Sequence, residues 1–126
     1  MIALLLVLSL QRTYHDVPLE RVATTTWTHV RTCGVVSYVR RLADDDVHVT
    51  LIQGEAFVVL EIIPGLPLPS PRKGQRIDAW GIARIDRRHT TKLYPAGWPE
   101  LHPLEGWSAV DRCGVTVRPR RWEPWR

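Results

Sequence analysis

The chain has 126 residues, a formal net charge of +4 and a pI near 9.6. That length holds one hydrophobic core and excludes two good ones. Hydrophobic residues at 44% and charged residues at 24% are the proportions of an ordinary soluble globular domain. The positive charge permits an anionic partner without requiring one.

Residues 1–10, Met-Ile-Ala-Leu-Leu-Leu-Val-Leu-Ser-Leu, are an unbroken apolar run. The run is too short to span a bilayer as a helix but suits the hydrophobic region of a signal peptide. No Lys or Arg precedes it and no Ala-x-Ala-like site follows. Export is the expectation; the alternatives are a cytoplasmic chain and a short helix or strand packed on the body of the protein. Residues 11–26 lack sustained periodicity and contain Pro18, so residues 1–26 read as a leader plus a linker.

From Trp27 the texture changes to that of strands. His29–Leu42 is rich in Val, Thr and Tyr, and Cys33-Gly34 near its start suits a bulge or sharp bend. Ala43-Asp44-Asp45-Asp46 is a turn, because Asp tolerates turn geometry and bonds its own backbone. Val47–Leu51 alternates apolar and polar, and after Gln53-Gly54-Glu55 comes a third strand, Ala56–Ile63. Pro64–Gly74 holds four prolines, which exclude helix by removing donors and restricting their neighbours. Arg76–Asp86 is the fourth strand, with Ile77, Ala79, Ala83 and Ile85 on one face. A turn over Arg87–Gly97 leads to a fifth strand around Trp98–Leu104, and Val110–Val117 is expected to add a short one. The Arg- and Trp-rich tail, residues 118–126, reads as irregular.

Three strands, a connection and a final hairpin form an all-β, five-stranded barrel of the oligonucleotide/oligosaccharide-binding (OB) type over residues 27–110. A Pro-rich loop lies between its third and fourth strands, and residues 111–126 are a C-terminal strand and tail. Closure removes the edges that a short open sheet would expose.

Particular residues carry a family resemblance across Trp27 to Val110. They are Cys33-Gly34-Val35-Val36, Asp45–Leu51, Glu61-Ile62-Ile63-Pro64, Gly74–Gly81 and the closing Trp98-Pro99-Glu100-Leu101-His102-Pro103. With its Trp-x-Glu-x-His-Pro pattern the chain resembles small, mostly uncharacterised bacterial and environmental OB-fold proteins, often exported. The resemblance implies the fold and a hydrophobic leader, and no activity. The added Thr90–Ala96 departs from the pattern.

Cys33 and Cys113 have no Cys-x-x-Cys or Cys/His spacing of a zinc or redox site. In an exported chain they are a candidate disulfide; in a cytosolic one they are small buried side chains. No cofactor motif is present. Glu100 and His102 lie two apart, on one face of a strand, with Asp86 and His89 at the other end of the hairpin. These four are the candidate metal ligands of a metal-dependent hydrolase. Asp44-Asp45-Asp46 lacks the ligand spacing of a Ca²⁺ loop, and no Ser or Cys nucleophile sits beside an evident base.

For binding, OB barrels use the second and third strands between two turns. One of those turns carries Arg87, Arg88, His89, Lys92 and Tyr94, next to Trp98, offering cations for phosphate and rings for bases. The opposing Asp turn repels phosphate. The expected function is a non-catalytic binding module of unknown ligand; the alternatives are a single-stranded nucleic-acid module, binding this or another anion weakly, and the metal-dependent hydrolase. The Trp98–Trp107 stretch is expected to be structural, with Trp98 and Leu101 packing the barrel end. His102 is expected to bond to backbone or to a neighbouring strand, not to face an open pocket beside Glu100.

Overall fold

The structure, a computed structural model, describes residues 13–114. The apolar leader 1–10, the end of the expected Val110–Val117 strand and the tail 118–126 lie outside the described residues. The strands are β1 (His15–Asp16), β2 (His29–Arg41), β3 (Val47–Gln53), β4 (Ala56–Ile62), β5 (Arg76–Asp86) and β6 (Trp98–Ala109). A 3-10 helix spans Leu19–Thr24.

Alternation builds the barrel wall. Val47, Val49 and Leu51 of β3 and Val58, Leu60 and Ile62 of β4 point inward, joined by Val30, Val36, Ile77, Ala79, Leu101 and Leu104. The sheet runs β2-β3-β4-β6-β5 and closes through a second β2–β5 pairing. Every neighbouring pair in this ring is antiparallel except β4–β6, which is parallel.

β2 closes the ring by serving two partners. Its first half pairs with β5 from His29 to Val35, and its second half with β3 from Val35 to Arg41. Gly34 sits at the handover, where a Cβ would lie 2.9 Å from the Ile52 carbonyl oxygen. Only a residue without a side chain lets the strands approach so closely.

Two expectations are corrected at the ends of the chain. The segment read as linker is part of the fold from residue 13. β1 pairs in parallel with β2, and the Val17 N–H donates to the Arg31 carbonyl at 2.9 Å. Leu19 and Val22 of the 3-10 helix are buried in the core, and the helix touches every strand of the barrel. The periodicity of a helix this short carries too few turns to read. At the other end, β6 runs on to Ala109, and Val110–Cys113 form no strand.

The Pro-rich loop closes the gap between β4 and β5. The Trp107 indole N–H donates to the Pro69 carbonyl at 2.7 Å, and Leu68 packs against the core. Cys33 and Cys113 are joined in a disulfide, with Cα atoms 5.6 Å apart, tying the residues after β6 to β2.

Candidate functional site

The β2–β3 turn (Leu42–Asp46), the adjoining parts of β3, β4 and β6, and the start of the β5–β6 loop (Arg87–Gly97) enclose a cleft of about 880 Å³. Its walls are the polar side of the same alternation that fills the core. His48 faces outward between the inward Val47 and Val49, and Glu61 outward between Leu60 and Ile62. His48 and Glu61 are direct partners across β3 and β4. On β6 the inward Leu101 separates Glu100 from His102, and Glu100 lies opposite Arg84 of β5.

Both imidazoles turn to one carboxylate oxygen. His48 Nε2 stands 3.3 Å from Glu61 Oε1 and His102 Nε2 stands 3.5 Å from the same atom. Arg84 Nη1 donates to His102 Nδ1 at 2.8 Å. A guanidinium only donates, so Nδ1 is the acceptor and the proton of a neutral ring sits on Nε2, toward Glu61.

Glu100 is 3% exposed and Glu61 is 7% exposed. Burial, then the neighbouring Glu61, then Asp86 push the Glu100 carboxyl up to about 8. At neutral pH Glu100 therefore keeps its proton. Asp86 moves the other way. A hydrogen bond from His89 Nδ1 at 2.9 Å, aided by the Arg88 backbone N–H at 3.0 Å, holds it well below the usual carboxylate range against the effect of its burial. Such a floor can hold a cation or receive a hydrogen-bond donor. Among the residues lining it there is no Ser or Cys to act as nucleophile.

The residues singled out from sequence do not all arrive here. Arg87, Arg88 and His89 line the cleft and are exposed, while Lys92 is exposed further along the loop. Tyr94 is corrected from ligand contact to packing. It is buried, its hydroxyl accepts the Phe57 N–H at 3.2 Å, and its ring meets Phe57 edge-on with centroids 5.0 Å apart. Trp98, half-buried, meets Phe57 edge-on at 5.8 Å and stacks on His89 at 4.5 Å, rather than filling the barrel end. Leu101 is fully buried in the core. The loop thus folds its own ring over the one aromatic side chain of β3 and β4.

Two further corrections concern the hairpin. His102 does bond to the neighbouring strand, through Arg84 of β5, but it lies beside Glu61 within the cleft that Glu100 also lines, where an open pocket was not expected. The expected ligand set of Asp86, His89, Glu100 and His102 does not assemble as such, since His89 is turned to Asp86 and Trp98. Instead Glu61, Glu100 and His102 bring one ligand atom each within 4.8 Å of one another, as do Asp46, His48 and Glu61. Sequence reasoning missed Glu61 and His48. The available signal was a single charge in the apolar run Val58-Val59-Leu60-Glu61-Ile62, a costly residue to bury without a purpose.

Neither a family model nor a curated protein matches the chain. Among solved structures, it is similar to asparaginyl-tRNA synthetase from Entamoeba histolytica, at TM-score 0.60 and 13% identity over 86% of this chain. It spans only 26% of that enzyme. The telomere capping protein Ten1 from Saccharomyces pombe matches at TM-score 0.55 and 17% identity, covering 87% of this chain and 92% of Ten1. Ten1's complex with Stn1 matches at TM-score 0.58 and 14% identity, covering 88% of this chain and 96% of the matched one. The closed five-stranded ring with one extra strand is the architecture that these similarities cover. The domain is an OB fold. In OB folds the ligand lies across the strands corresponding to β3 and β4, between the turns corresponding to β2–β3 and β5–β6. The cleft of this OB fold occupies that position.

Proposed function

We propose that the chain is a non-catalytic binding module of OB type whose ligand seats in the cleft between the β2–β3 turn and the β5–β6 loop. The supporting observation is the buried Glu61–Glu100 pair, ringed by His48, His102 and Arg84, at the place where OB folds take ligands. Buried ionisable groups are costly to keep, and their concentration in one cleft favours a recognition role over a packing one. Turnover of a chromogenic phosphodiester by metal-supplemented protein, lost in Glu100→Gln, would make the chain a hydrolase instead.

A second reading has its own observation. Arg84, Arg87 and Arg88 are exposed along the mouth of the cleft, with Lys92 beyond. The similarity to a telomere capping protein and to a tRNA synthetase supports single-stranded nucleic acid as the ligand at this mouth. With Tyr94 closed over Phe57, stacking contributes little and phosphate contact dominates. Fluorescence anisotropy with a labelled twelve-nucleotide DNA strand tests this. Binding at low salt that fades at physiological salt, and that the double variant Arg87→Glu/Arg88→Glu abolishes, supports it. Absence of binding at low salt overturns it.

A further inference from the structure

We propose that Glu61, Glu100 and His102 form the floor of the cleft into a site for one divalent transition-metal ion of the zinc class. The proposal rests on the cleft being the ligand site and names what its floor takes.

The donor set is mixed, two carboxylates and an imidazole, each a ligand type that zinc accepts. The three ligand atoms already lie within 4.8 Å of one another. Bonds of roughly 2.0–2.2 Å place tetrahedral ligand atoms about 3.4 Å apart. The 3.5 Å from His102 Nε2 to Glu61 Oε1 is close to that edge, so loading needs small side-chain movements. The ligands stand on strands of a closed barrel, where backbone positions are held by ladder pairing on both sides.

The second observation is the confrontation of the carboxyls. Both are more than nine-tenths buried, and among the described residues no Lys or Arg forms an ion pair with either. Arg84, the cation opposite Glu100 in the ladder, is turned to His102 instead. Two carboxyls held together out of water need a shared proton or a cation between them. The flanking imidazoles favour the metal over a proton alone.

Arg84 makes the proposal specific. When His102 Nε2 gives up its proton to bind metal, the proton of the neutral ring moves to Nδ1, which then cannot accept from Arg84. The exposed guanidinium must swing into solvent, so Arg84 competes with the metal. His48, 3.3 Å from the same Glu61 oxygen, orients that carboxylate without being one of the three ligands.

The test is calorimetric titration of the chelator-stripped full chain with Zn²⁺, paired with thermal melts. One ion per chain and a metal-dependent rise in Tm are expected. Glu100→Gln, isosteric with the protonated carboxyl, and His102→Ala each lower affinity about 100-fold or more, while His48→Ala lowers it about 10-fold. Arg84→Met binds zinc more tightly than the wild type, an outcome that a purely structural polar network does not produce. Failure of the folded wild-type chain to take up one equivalent overturns the site, as does wild-type affinity in Glu100→Gln or no gain in Arg84→Met. The zinc titration reads the floor and the oligonucleotide titration reads the mouth. Loss of zinc binding with strand binding intact overturns the metal site and leaves the binding module standing.

Discussion

Glu61 of β4 and Glu100 of β6 present their carboxyls to each other from two adjacent parallel strands, with ligand atoms within 4.8 Å. The parallel pairing sets Glu100 level with Val59, one outward position from Glu61. The two acids therefore meet diagonally, both largely buried at the floor of the cleft. This relationship fixes the protonation of the cleft and has a consequence for stability.

The Glu100 carboxyl ionises at about 8 in the fold against an ordinary value of 4.5. Between these two values the folded chain holds a proton that the unfolded chain has lost. Stability is therefore highest near the acid end of this window and falls as pH rises from about 4.5 to about 8, then levels off. Glu100→Gln removes this contribution. Urea unfolding of metal-free wild type and variant between pH 5 and pH 8 should show a difference that widens in favour of the variant; a constant difference would mean that the fold does not hold the Glu100 proton.

Leu19 tests whether the 3-10 helix is a working part of the barrel. Fully buried, it packs in the core from outside the five-stranded ring. Leu19→Ala should cost about 3 kcal/mol, as cavity-forming changes do. The same substitution in a loose extension would cost almost nothing, and a urea melt separates the two.

Tyr94 latches the β5–β6 loop onto β4. Tyr94→Phe keeps the ring contact with Phe57 and deletes the hydroxyl that accepts the Phe57 N–H. A loss of about 1 kcal/mol is expected. Hydrogen exchange at the Phe57 amide should accelerate with it, and unchanged protection there would show that another group holds the strand.

Reduction of the Cys33–Cys113 bond releases a closure of 80 positions. In the chain-entropy account such a loop is worth about 4 kcal/mol. Non-reducing protein should show no free thiol by titration, and its melting temperature should drop on reduction. Two free thiols in protein purified without reductant would contradict the pairing.

What the sequence determined was everything that depends on local periodicity. The alternation of Val47, Val49 and Leu51 against His48 and Thr50, the Asp turn and the proline run each act over a few residues, so strands, turns and the non-helical connection were legible. The β2–β6 order then followed, because five short strands are best closed into a ring. Tyr94 was read as a ligand-facing ring because nothing local shows that its loop folds back on Phe57. Leu19 was read as linker because a six-residue helix shows no period. Glu100 and His102 shared a face by simple parity, but their partner Glu61 lies on another strand, and only ring closure with its parallel β4–β6 register brings it there. Parity is a property of one strand and register is a property of two. The cleft is built from register, so tertiary structure alone decided which acids meet, which imidazoles face them and which arginine stands in the way.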